Sequence, residues 1–115
     1  MYQFSYSEML DDTPGEARAL EHRALLRSIA LLKSAEAAGL DAPETAEAIG
    51  FLLRLWAIFL EDLAAPSNGL APPLRADLIS IGLWLMKEAE EVRFGRSQNL
   101  RGLIEVSQSI ADGLK

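Results

Sequence analysis

The segment "AIGFLLRLWAIFL", Ala48 to Leu60, is the feature that most constrains this chain, because between Glu47 and Glu61 its only charged side chain is Arg54. As a helix it extends about 20 Å, short of the hydrocarbon thickness of a bilayer, and Glu47, Glu61 and Asp62 close it on both sides. A membrane span is therefore not expected. A second segment shows the same trait: in "LISIGLWLM", Leu78 to Met86, only Ser80 is polar. A helix that is apolar all round belongs at the centre of a large core or under another chain. A chain of 115 residues has few other helices to do the covering. Two outcomes are open: the remaining helices hide both faces, or a groove stays exposed for a partner.

The punctuation around these segments is helical throughout. "TPGE" at Thr13 to Glu16 has the form of a capping box, with Pro14 in the first turn where no amide is required. The helix it opens carries Leu20, Ala24, Ser28, Leu31 and Ala35 at helical spacing, widened by Leu25, Ile29 and Leu32, and Gly39 suits the left-handed residue past its end. "DAPE" at Asp41 to Glu44 repeats the capping pattern and opens a second helix to about Ala64. "APSNGLAPP" is turn chemistry, in which Asn68 and Gly69 tolerate positive φ. A third helix is predicted from about Leu74 to Phe94, ending at Gly95. Ser97 is the expected cap of a fourth, Gln98 to Asp112, with apolar Leu100, Leu103, Ile104, Val106 and Ile110. Beta alternation is absent. Residues 1–12, with Tyr2, Phe4, Tyr6, Met9 and Leu10, read as a short extra helix or an arm laid over the bundle. The expected fold is all-α, a single domain over residues 1–115 with four main helices in a compact bundle.

On the second helix Leu52, Leu55, Phe59 and Leu63 form a stripe that Ile49, Leu53, Trp56 and Leu60 widen; the third has one face of Leu74, Leu78, Ile81, Leu85 and Val92 and another of Ile79, Leu83 and Met86. Folding the chain about Gly69 makes these helices antiparallel neighbours and sets Trp56 near Gly82, indole over glycine. The same register brings Arg54 toward Trp84 and Glu88. Two placements follow for Arg54: stacking on the ring and pairing with the carboxylate, or a stem crossing apolar surface with its head in water, of which the second is preferred.

Little in the chain points to chemistry. There is no cysteine, which removes disulfides and thiolate metal sites and is compatible with a reducing compartment; the cytoplasm is the expected location. The amino terminus has neither the basic start nor the apolar run of a secretory signal. A formal charge of -6 opposes phosphate, leaving only a loose basic group of Arg93, Arg96 and Arg101 for nucleic acid. The sole histidine, His22, stands among Glu21, Arg23 and Arg27 without ligand partners. "MKEAEEVR" lacks the Glu-x-x-His pairs of a di-iron bundle, and no phosphate-cradling glycine loop or nucleophile triad is recognisable. Neither an enzyme nor a cofactor or metal is expected.

"RLWAIFLEDLAAPSNGLAPPLRADLISIGLWLMKEAE", Arg54 to Glu90, resembles the flagellar biosynthesis regulator FlaF, an alphaproteobacterial family, and the likeness runs from "YQFSYSEML" to "GRSQNLRGLIEVSQSIADGL". Its most telling parts are Leu55 and Trp56, "EDL" at Glu61 to Leu63, "LRADLISIG" at Leu74 to Gly82, and Trp84. The resemblance implies a cytoplasmic factor that promotes flagellin production and export, binds flagellin as a chaperone, and works against the translational repressor FlbT. It supplies no residue-level site. The apolar surplus of helices two and three points to Phe51, Leu55, Trp56, Phe59, Ile79, Leu83 and Trp84 as partner-binding residues, with the aromatics as anchors. The competing readings are an RNA-binding regulator of flagellin transcripts using Arg93, Arg96 and Arg101, and a homo-oligomer whose apolar faces cover each other.

Overall fold

The structure, a computed structural model, describes residues 14–113. Thr13, the first residue of the expected capping pair with Glu16, and the arm residues Tyr2, Phe4, Tyr6, Met9 and Leu10 lie outside the described residues. Four helices follow one another: α1 (Pro14–Ala38), α2 (Pro43–Ala64), α3 (Pro72–Arg93) and α4 (Leu100–Gly113). No strand occurs among the described residues. The all-α, four-helix architecture is the expected one.

The chain fixes each boundary by a local device. Gly39 ends α1 at φ 110° and Gly95 follows α3 at φ 77°, a region where a Cβ is strained. The α2 start differs from expectation: its cap is Ala42 with extended backbone and no side-chain bond, because Pro43 biases the residue before it out of the helical region. Asp41 therefore falls one position too early to cap. Thr45, one turn in, instead donates its hydroxyl to the Gly39 carbonyl at 2.8 Å and ties the turn to α2. α3 likewise opens on Pro72, two residues ahead of the expected start, after an extended Ala71.

Between α2 and α3, Asn68 and Gly69 do not adopt the positive φ the sequence permits; among the described residues only Gly39 and Gly95 do. Asn68 acts through its amide, donating to the Asp62 carbonyl and carboxylate, each at 3.2 Å, and accepting from Leu70 N–H at 3.0 Å. Arg75 then reaches back from α3 and donates to the Leu63 carbonyl at 3.0 and 2.7 Å and to the Ala65 carbonyl at 3.3 Å. These last carbonyls of α2 have no partner within their own helix, so a cation there satisfies both hydrogen bonding and the helix dipole. At the other corner the cap of α4 is Asn99, not Ser97: its Oδ1 accepts from Gly102 N–H at 2.9 Å. Ser97 accepts from Asn99 N–H and donates to Glu88, so it braces the corner rather than the helix.

Packing places α1 against both α2 and α4, and α3 mainly against α2, with a thin seam between α3 and α4. Buried Leu25, Ile29, Leu32, Ala48, Ile49, Leu52, Trp56, Leu85, Leu103 and Ile104 make one continuous core. Trp56 is its largest fully buried side chain. A Cβ added at Gly82 would stand 2.6 Å from Trp56 Cε3 and 3.0 Å from Leu60 Cδ2, so the glycine is the hole into which the indole fits. That close approach sets the antiparallel register of α2 and α3 read from the turn. An ion pair between Glu36 and Arg101 joins the end of α1 to the start of α4.

Candidate functional site

The seven residues singled out for partner binding separate into three environments. Leu55 and Trp56, expected among the partner-binding residues with Trp56 as an anchor, belong to the core at 8% and 2% exposure. The reason is Gly82: a missing side chain on α3 draws the ring inward. Phe59 is half-buried with its ring edge-on to Trp56, centroids 5.2 Å apart at 83°. Phe51 is half-buried under the Arg27 guanidinium of α1 at 5.9 Å. Leu55 and Trp56, being buried, therefore do not join a surface with the three from α3.

The three α3 positions do reach the surface. Leu83 is 56% and Trp84 41% exposed, and half-buried Ile79 lies one turn before Leu83 on the same flank. Half-buried Met86 continues that flank toward the core. Sequence reasoning missed Phe94, which at 62% is the most exposed large apolar side chain. Read only as the end of a helix, it stands eleven residues after Leu83, about three turns, which returns it to the same flank. Leu74, on the other apolar face of this helix, is also exposed. The candidate surface is thus the outer side of α3, with Ile79, Leu83, Trp84 and Phe94 arranged along it.

Three surface arginines are paired with carboxylates. Arg93 pairs with Glu90 at 3.4 Å, Arg96 with Glu91 at 2.9 Å, and Arg101 with Glu36. The Arg96 hydrogen bonds hold the Glu91 carboxyl below its ordinary range, and Glu91 in turn raises Arg96. Arg96 also lies over the Phe94 ring at 5.2 Å. The three arginines considered for nucleic acid each face a carboxylate, so they do not present a free basic stripe to phosphate. Arg54 is exposed and folds back along its own helix, its Nη1 beside Gly50; it forms neither the stack on Trp84 nor the pair with Glu88. Its exposure agrees with the preferred reading in which the head reaches water.

Among the described residues no group of three or more His, Cys, Asp or Glu side chains is placed to hold a metal ion. None of their helices is long and apolar enough to cross a membrane. What the surface offers is apolar contact bordered by paired charge, which suits an amphipathic segment from another chain.

A family model described as "Flagellar protein FlaF" matches residues 2–114. No curated protein and no solved structure matches the chain.

Proposed function

We propose that this chain, which belongs to the FlaF family of flagellar proteins, is a non-enzymatic assembly factor that binds flagellin in the cytoplasm as a chaperone. In this reading it promotes flagellin synthesis and secretion and counteracts the translational repressor FlbT. The observation that carries the binding step is the pair Leu83 and Trp84, exposed side by side on a helix whose inward face is already filled by Gly82, Leu85 and Ala89. Fold stability does not require a large aromatic at position 84, since its ring is not sealed in the core. Covering one such side chain yields roughly 1.5 to 3 kcal/mol, enough to anchor an amphipathic flagellin segment that would otherwise self-associate.

The test is a calorimetric titration of flagellin into the natural chain and into Trp84→Ala and Leu83→Asp. Each substitution is expected to weaken binding by about tenfold or more, the effect of losing an interface anchor. Circular dichroism should stay unchanged, because both positions are exposed. Undiminished affinity in both folded variants would remove the α3 surface from the flagellin interaction. Trp56→Ala serves as the contrast: its effect should appear first as lost stability.

A further inference from the structure

The carboxyl end of α3 holds an aromatic ring that is exposed and yet fastened. Phe94 closes the helix, its N–H donating to the Glu90 carbonyl at 3.0 Å, and Gly95 then turns the chain at φ 77°. That turn brings Arg96 back over α3. Its N–H donates to the Glu91 carbonyl at 2.8 Å, and its guanidinium donates to the Glu91 carboxylate from Nε at 3.1 and 3.2 Å and from Nη2 at 2.9 Å. Main chain and side chain of one residue are thus both tied to Glu91. The same guanidinium lies over the Phe94 ring, 5.2 Å from its centroid.

The Arg96 and Glu91 side chains are 59% and 32% exposed, and an ion pair in that setting adds little to the stability of a fold. What it fixes is position. A guanidinium gripped by both carboxylate oxygens cannot swing away, and where it lies on the ring it restricts the rotation of a side chain that is otherwise open to water. An unrestrained phenylalanine loses its rotamer freedom when a partner covers it; a ring already held has less to lose, and binding tightens by the difference. Phe94 also stands eleven residues beyond Leu83 on the same flank, about 16 Å along the helix, so a partner that touches both must itself run for about three turns.

We infer that Phe94 is the far anchor of the flagellin-binding surface and that Arg96, held by Glu91, is the residue that positions it. The surface then takes a helical flagellin segment of about three turns or more, with one apolar contact on Leu83 and Trp84 and a second about 16 Å away on Phe94. This rests on the flagellin reading above and adds to it the length of the segment and the residue that orders the site.

The test is a calorimetric titration of flagellin into the full chain carrying Phe94→Ala, Arg96→Gln, Arg96→Lys or the Phe94→Ala, Arg96→Gln pair, with Trp84→Ala and Arg101→Gln alongside. Phe94→Ala should weaken binding about tenfold and Arg96→Gln about threefold to tenfold, while Arg96→Gln should add nothing once Phe94 is gone, because it acts through the ring. Arg96→Lys should not restore affinity, since an ammonium has neither the fork nor the flat face, and Arg101→Gln, which removes the same charge elsewhere, should bind as the natural chain does. Undiminished binding by Phe94→Ala beside a weakened Trp84→Ala overturns this inference and leaves the flagellin reading standing; undiminished binding by both removes the two together. An Arg96→Gln effect that persists in the Phe94→Ala background, or full affinity in Arg96→Lys, overturns the positioning role. Without flagellin, the Phe94 ring current should shift the Arg96 side-chain proton resonances upfield, and an Arg96 spectrum unchanged by Phe94→Ala overturns the contact itself.

Discussion

At the scale of single residues the most consequential contact is Trp56 on Gly82. Trp56 Cε3 stands 2.6 Å from where a Cβ would be, a distance that cannot be kept. Gly82→Ala should therefore cost about 1 to 3 kcal/mol as the ring is displaced, and Trp56→Ala about 3 to 5 kcal/mol through the cavity it leaves; urea denaturation measures both. The buried hydroxyls of Ser28 and Ser107 supply a contrasting case, because neither has a hydrogen-bond partner among the described groups. Ser107→Ala removes a desolvated polar atom without opening much space, and thermal unfolding should show it neutral or stabilising by about 1 kcal/mol. The glycine contact was legible in the sequence because turn length fixes the register of an antiparallel pair. The burial of Leu55 was not: periodicity marks an apolar face without saying whether another helix already occupies it.

Between elements, the boundaries divide into those that local chemistry dictates and those that long-range partners complete. Gly39 and Gly95 could be read in advance because only glycine sits easily at φ 110° and 77°. The capping roles assigned to Asp41 and Ser97 could not, since a proline at position 43 moves the first cap and Glu88, distant in sequence, engages the second. Arg75 is the clearest long-range partner, closing the end of α2 from the start of α3. Arg75→Ala strips hydrogen bonds from a charged donor and should cost about 1.5 to 3 kcal/mol, with amide exchange rising first around Leu63 to Leu70. The Glu91 and Arg96 pair acts at the opposite corner and depends on pH. Because the folded Glu91 carboxyl is held low, its contribution is complete above the ordinary carboxylate range and is lost as pH falls through the depressed value. Titration followed by carboxyl NMR should show a lowered midpoint that Arg96→Gln returns to the ordinary range.

For the whole molecule the question is whether exposed apolar surface leads to self-association or waits for a different partner. Ile79, Leu83, Trp84 and Phe94 together expose roughly 400 Å², given 150 to 250 Å² for a complete aromatic side chain, against about 800 Å² per partner in a stable interface. A second copy is a rigid convex body and touches mainly the outermost of these side chains. A pliable segment can settle against the half-buried Ile79 and Met86 as well, and so recruit area that a second bundle cannot reach. A formal charge of -6 adds repulsion between copies. The isolated chain should therefore scatter light as a monomer of 12.6 kDa across the micromolar range and take up flagellin one to one. A mass climbing with concentration toward twice that value, and falling back in Trp84→Ala, would assign the α3 surface to self-association. It would equally require flagellin to compete with a second copy, because both would then claim the same residues.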